Sequence, residues 1–219
     1  MIKISSTNLF PTIQPYLPKD PIIIEAGSFN GKDTLRMAAF WPESTIHAFE
    51  PVPKIFDELT RNTCSTSTIR RYPLALSDTN GEKTFFIAEH PKRPGKICQA
   101  GTLLKPKDRL TVSPITYPET IAVKTITLDT WATQYGIDHV DFIWLDVQGH
   151  ELAVLQNGSR ILSTAKALFL EVNFIQAYEK QESYSATKKW LKDQGFTPIG
   201  QDFIDENSWF FGNLLYVKQ

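Results

Sequence analysis

Cysteine is scarce in this chain: Cys64 and Cys98 are the only two. They form no C-x-x-C pair and permit one disulfide at most, so a disulfide framework is excluded and a reduced, cytoplasmic setting is expected. No apolar run approaches the roughly 20 residues that span a bilayer. Residues 1–19 are broken up by polar side chains and by Pro11, Pro15 and Pro18, which leaves no signal-peptide core. An excess of one charge sign is also missing. The formal net charge is -1, which argues against a dedicated nucleic-acid binder. Several catalytic signatures are absent too. Neither G-x-G-x-x-G nor G-x-x-x-x-G-K-[ST] occurs, Ser28 lies in no G-x-S-x-G elbow, and no His and carboxylate spacing suits zinc. Asp146, Glu171 and one more oxygen donor have the chemistry for Mg2+, but nothing in the sequence requires a metal and none is expected.

What is present reads as one domain over residues 1–219, with 42% apolar and 21% charged residues to build a core and a surface. Residues 1–21 form a lead-in, irregular except for a short helix around 9–16. Strands are expected at 22–24, 45–49 and 69–76. Between them lie one helix through Leu35, Ala38 and Ala39, ended by Pro42, and another from Pro53 through Ile55, Phe56 and Leu59. This alternation predicts a right-handed, doubly wound parallel sheet. Residues 82–124 break the rhythm. Strands at 84–88 and 120–126 flank a long segment in which Lys92, Arg93, Lys96, Lys105, Lys107 and Arg109 face only Glu89 and Asp108. Such an insertion is expected to be a lid or acceptor platform for a polar or anionic partner. The pattern then resumes with a helix at 127–135, a strand at 140–145, a helix closing near Gly158, a strand at 167–172 and a helix at 183–194. Strands at 196–203 and 213–218 follow as an antiparallel pair, so the expected sheet has seven strands with the last one reversed.

The most informative stretch is Ile22-Ile23-Ile24-Glu25-Ala26-Gly27-Ser28-Phe29-Asn30-Gly31-Lys32-Asp33-Thr34. A buried strand meets a carboxylate, then two glycines four apart, then a helix whose first amides favour an anionic group. An acid two residues before the first glycine is the pattern of S-adenosylmethionine sites. Taken alone, the loop reads equally well as a structural turn. The other strand ends add Glu50, Ser77 with Asp78, and Asp146, and ligands of such sheets lie beyond those ends. A carboxylate at Glu50 suits a ribose. Asp146 follows an apolar strand and needs a partner there, or serves as a cap for the next helix. Glu171 repeats that arrangement one strand on, with a core salt bridge as its alternative. His150, in the same turn as Asp146, is a candidate base. His47 lies within a strand and reads as structural.

Several segments together resemble the FkbM-type methyltransferases: Phe49-Glu50-Pro51, Leu74-Ala75-Leu76-Ser77-Asp78 with Gly81, Thr127-Leu128-Asp129, Asp146-Val147-Gln148-Gly149-His150-Glu151 with Val154-Leu155, and Gly158. The resemblance runs from about residue 22 to 172. It implies a class I Rossmann-like methyltransferase fold, S-adenosylmethionine as methyl donor, and O-methylation of a sugar or natural-product hydroxyl. By position, Glu25, Gly27 and Gly31, with Ser28, Asn30 and Thr34, would form the methionine-side loop. Glu50 with Pro51 would hold the ribose, Leu76 and Ser77 would lie near adenine, and Asp146 with Val147 would face the methionine end. The base would be Asp146 or His150, with Glu171 as a further catalytic carboxylate. Where the family usually has Glu, this chain has Gln148, so a role that needs a charge there is not carried over. A nicotinamide-dependent oxidoreductase and a non-catalytic nucleotide-binding module are the rival readings. The first should show the tighter glycine fingerprint. The expected acceptor is a small molecule or glycan.

Overall fold

The computed structural model describes residues 1–207 and 209–218. In chain order the elements are β1 (Ile2–Lys3), α1 (Leu9–Ile13), β2 (Ile22–Ala26), α2 (Lys32–Phe40), β3 (Thr45–Phe49), α3 (Pro53–Thr63), β4 (Ile69–Tyr72), β5 (Ala75–Leu76), β6 (Gly81–Glu89), α4 (Arg109–Val112) and β7 (Thr116–Ile126). There follow α5 (Leu128–Gln134), β8 (Phe142–Leu145), α6 (Glu151–Gln156), α7 (Ser159–Thr164), β9 (Ala167–Asn173), α8 (Tyr184–Asp193), β10 (Phe196–Gln201) and β11 (Phe211–Lys218). A 3-10 turn at Gln14–Tyr16 extends α1.

The main sheet runs β1-β10-β11-β9-β8-β2-β3-β4, and a second, three-stranded sheet runs β5-β7-β6. The pairs β3–β4, β2–β3, β2–β8 and β8–β9 are parallel, while β11 lies antiparallel between β9 and β10. The reversed last strand is therefore as expected. The main sheet has eight strands and not seven, because the lead-in adds Ile2–Lys3 parallel to β10. The third expected strand splits at Pro73, which has no N–H to donate. Ile69–Tyr72 stays in the main sheet, and Ala75–Leu76 pairs with β7 in the second.

Both faces of the main sheet are covered. Successive residues of a strand point to opposite faces, so Ile23 packs with Leu9, Phe10 and Ile13 of α1, Met37 of α2 and Leu59 of α3. Its neighbour Ile24 packs with Trp131 of α5, Val154 of α6, Ile161 of α7 and Leu191 of α8. Each such fully buried apolar side chain contributes about 1.5–3 kcal/mol. The histidine read as structural, His47, is buried on this second face between Tyr72 and Trp131, with Nδ1 2.9 Å from the Tyr72 hydroxyl. Among the described residues no helix is long and apolar enough to cross a membrane.

One helix goes beyond the sequence reading. After α6 ends at Gln156, Gly158 begins α7. Its first amides are capped from a distance: the Asp129 carboxylate of α5 accepts from Arg160 N (3.0 Å) and Ile161 N (3.0 Å). Gly158 is needed where it stands, since a Cβ there would lie 2.6 Å from Leu128.

Candidate active site

The turn after β2 is shaped by two close approaches. Gly27 has φ +87, and a Cβ on it would lie 2.1 Å from the carbonyl oxygen of Asp146. Only glycine lets the ends of β2 and β8 come this near. The Gly27 and Ser28 amides both donate to the Phe49 carbonyl (3.2 and 3.1 Å), which ties the turn to the end of β3. Gly31, at φ +81, starts α2 against Leu59 and Thr63 of α3. Glu25 is buried, and its carboxylate accepts from Thr34 Oγ1 of α2. Burial pushes its pKa up to about 8, against the lowering effect of the Thr34 and Ser28 hydroxyls.

Beyond these strand ends lies a cleft lined by Gly27, Phe29, Phe49, Glu50, Pro51, Ile55, Leu76, Phe85, Asp146 and Val147, among others. An adjoining, more polar chamber is lined by Glu25, Gly27, Ser28, Asn30, Asp33, Gln99 and Asp146. Gly27, Gln99 and Asp146 belong to both, so the two form one continuous site. Glu50 is buried and accepts from Val52 N at 2.8 Å. Burial raises its pKa to about 7, opposed by the Val52 and Phe29 amides.

Asp146 is half-buried and opens on both spaces. Gln148 Nε2 donates to Asp146 Oδ1 (2.7 Å) and to Glu171 Oε1 (2.9 Å), while its Oε1 accepts from the Tyr178 hydroxyl (2.7 Å). The amide therefore bridges two carboxylates. Burial raises the pKa of both acids, and Glu171 goes further because Asp146 and Glu151 repel its charge. An ionised Glu at 148 would have no hydrogen to give to either acid, whereas the Gln148 amide serves both. Glu151 turns back on its own turn, accepting from Val147 N (3.0 Å) and Gly149 N (3.0 Å).

Not all the expected residues meet in the cleft. Gly31 and Thr34 stand behind the loop. His150 is buried away from the lining, with Nε2 3.1 Å from Ser77 Oγ and 3.4 Å from Asp78 Oδ1. Burial lowers its pKa, opposed by Asp78. Asp78 also pairs with Lys83. Glu171 reaches Asp146 only through Gln148. The insertion, by contrast, supplies cleft wall: Phe85, Ala88, Ile97, Cys98, Gln99, Gly101 and Leu103. Phe85 falls within the expected strand at 84–88, whereas 97–103 carry no local signal.

A model of the methyltransferase FkbM domain matches residues 20–198. The chain belongs to this family. Membership makes S-adenosylmethionine the methyl donor. Among relatives, the 2-O-methyltransferase NoeI of Sinorhizobium fredii is 28% identical over 163 residues, covering 74% of this chain and 67% of that protein. The hexuronic acid methyltransferase AglP of Haloferax volcanii is 25% identical over 132 residues, 60% of this chain and 48% of that protein. The chain thus spans between about half and two thirds of these relatives. An rRNA methylase from Streptococcus thermophilus shares the fold, with a TM-score of 0.54 at 12% identity over 100% of this chain and 98% of that one.

The residues present fit this donor. Apolar walls from Phe49, Ile55, Leu76 and Phe85 suit an adenine ring, and Glu50 has acceptor capacity for ribose hydroxyls. The buried carboxylate of Glu25 and the half-buried one of Asp146, both with raised pKa, suit the cationic methionine end.

Proposed function

We propose that this protein methylates a hydroxyl oxygen of a sugar or related polar small molecule. When bound, S-adenosylmethionine supplies a methyl group already activated by the sulfonium, so the protein has mainly to align donor and acceptor. Glu50 with Pro51 and Val52 holds the ribose. Leu76, at the start of the second sheet, lies against adenine, with Ser77 behind it. Glu25, Gly27, Ser28 and Asn30 carry the methionine end, with Gly31 and Thr34 shaping their loop. Asp146, bridging the two spaces, accepts the acceptor hydroxyl proton, and Val147 closes the wall beside it. Glu171, bonded to the same Gln148 amide as Asp146, fixes the orientation of that bridge and so of Asp146. His150 belongs to the Ser77–Asp78 cluster.

The continuous site around Asp146 carries the reading, because it makes the only carboxylate shared by both spaces the one beside the methionine end. Sugar-directed relatives, NoeI and AglP by their names, support a glycan acceptor, and the cations of the insertion support an acidic one. The same reading sets aside nicotinamide chemistry and a non-catalytic module, and takes nucleic acid as no partner. It places the protein in the cytoplasm, where Cys64 and Cys98 as free thiols are at home. The test is methyl-labelled S-adenosylmethionine offered with neutral and acidic saccharides and read by intact mass. Label should appear on oxygen with the wild type, and D146N should lose it by at least about a hundredfold, as removal of a catalytic proton acceptor does. Near-normal turnover of D146N would remove Asp146 from the role.

A further inference from the structure

The cations between Glu89 and Arg109 divide into two groups. Lys105, Lys107 and Arg109 fasten the insertion to the main sheet. Lys105 pairs with Glu179 (2.8 Å), Lys107 Nζ donates to Gln176 Oε1 (2.8 Å), and the buried Arg109 guanidinium lies over the rings of Phe210 (5.4 Å) and Phe211 (5.5 Å). Backbone bonds run beside them: Lys107 N and Arg109 N both donate to the Ala177 carbonyl (2.9 and 3.2 Å), and Glu179 N donates to Lys105 O (2.8 Å). A second anchor, Thr102 Oγ1, donates to the Gln148 carbonyl at 3.0 Å. Lys92, Arg93 and Lys96 do none of this. Among the described residues their exposed side chains have no ion pair and no hydrogen bond.

These three stand in a closed loop. Glu89 and Ile97 bridge its base, Cys98 N donates to the Ala88 carbonyl (2.9 Å), Arg93 N donates to His90 O (2.7 Å), and Lys96 N donates to Arg93 O (3.1 Å). The loop so folded wraps His90, Lys92, Arg93 and Lys96 around a cavity of about 410 Å³, completed by Ile97 and Cys98. Ile97 and Cys98 also line the cleft, so the two spaces share a wall. His90 Nδ1 accepts from Lys92 N (3.2 Å), so its neutral ring carries the hydrogen on Nε2 as a further donor. The loop's own carboxylate, Glu89, is engaged by Gly95 N at 3.0 Å. The nearest other acid is Glu58, which with Lys54 lines a neighbouring cavity that shares Lys96 and Ile97.

We propose that this cavity is an anion subsite, in which Arg93, Lys92, Lys96 and His90 hold a phosphate or carboxylate group carried by the acceptor. Like charges gathered around one space repel each other, and an oxyanion both neutralises them and accepts from all four side chains. The Arg93 fork matches two oxygens of such a group, and the lysines add point charges. The shared wall fixes the kind of acceptor. Its anionic group rests on one side of Ile97 and Cys98, and the hydroxyl to be methylated lies in the cleft on the other, which describes an anionic saccharide long enough to span that wall. That the anion belongs to the acceptor rests on the methyl-transfer reading; the binding of the anion does not.

The test follows backbone amide shifts of the isotope-labelled, ligand-free protein at low ionic strength, where exposed charges are least screened. The probes are glucose 1-phosphate, glucuronate, glucose and inorganic phosphate. Glucose 1-phosphate or glucuronate should shift the amides between residues 90 and 98 saturably, and glucose should not. R93Q/K96Q should weaken that binding about tenfold or more, the range for losing charge-assisted hydrogen bonds. K105Q/K107Q removes the same charge from the same insertion and should stay near the wild type. Equal weakening in both double variants means diffuse attraction and overturns the proposal, as does the absence of saturable shifts with both charged sugars. Inorganic phosphate bound as tightly as the charged sugars marks a free-ion site and overturns the assignment to the acceptor. No arm uses S-adenosylmethionine, so failure here is separate from failure of the methyl-transfer reading.

Discussion

Gln148 shows how one amide settles the chemistry of two acids. It stands at φ +54, a conformation uncommon outside glycine, and spends its two amide hydrogens on Asp146 and Glu171. Around it the buried carboxylates have their acid forms favoured, and this has a measurable sign. The pKa of Glu25 is about 8 and that of Glu50 about 7 in the folded chain, against an ordinary 4.5. The native state therefore holds more protons than the unfolded state across that interval. The associated stability is fully present below about 4.5 and is lost as pH rises through 7 to 8. Buried His47, whose pKa is lowered to about 4, works in the opposite direction, but only below its ordinary 6.5. The window from pH 6.5 to 8 is thus free of it. In that window the urea midpoint of the ligand-free protein should fall, at about 1.4 kcal/mol for each unit over which one group stays displaced. E25Q should flatten the slope. A midpoint that rises, or an unchanged slope in E25Q, would contradict these assignments.

At the scale of elements, the segments most telling for family resemblance turn out to have architectural duties. Asp129 caps α7 from α5, and Gly158 makes room for Leu128. D129A should lower stability by about 1–2 kcal/mol, the usual cost of a lost cap, and leave donor affinity unchanged. Chemical denaturation and calorimetry check the two halves. A loss of donor affinity without a loss of stability would mean that Asp129 belongs to the site. Strands and helices with strong patterns were legible in the sequence: the apolar run at 22–24, the Pro53 start of α3, and the helix expected at 127–135, which forms at Leu128–Gln134 with the Thr127 hydroxyl outside it as a cap accepting from Thr130 N. The helix α7 was not, because its cap comes from residue 129. The strand expected at 69–76 breaks at Pro73, whose missing N–H is a signal present in the sequence itself. The cleft side chains at 97–103 were hidden because a loop owes its path to distant contacts such as Phe86 with Thr102.

Over the whole molecule, the parallel core strands bring Glu25, Glu50 and Asp146 to one edge by register alone: Glu25 lies opposite Trp144 of β8, and Ala26 opposite Phe49 of β3. That much follows from strand-end positions read in sequence. The second sheet and the strap at 100–109 then close the site from above, fastened at Thr102 and along 105–109. The insertion is therefore docked on the sheet, and it contributes cleft wall as well as charge. In this arrangement the continuous site from Glu50 to Asp146 is expected to be the donor site. Calorimetric titration of S-adenosylmethionine into wild type and E50A tests it most directly. The wild type should bind with one-to-one stoichiometry, and E50A should bind about ten- to a hundredfold more weakly, as expected for loss of a charged hydrogen-bond acceptor. Equal affinity in the two proteins, with E50A folded, would contradict it.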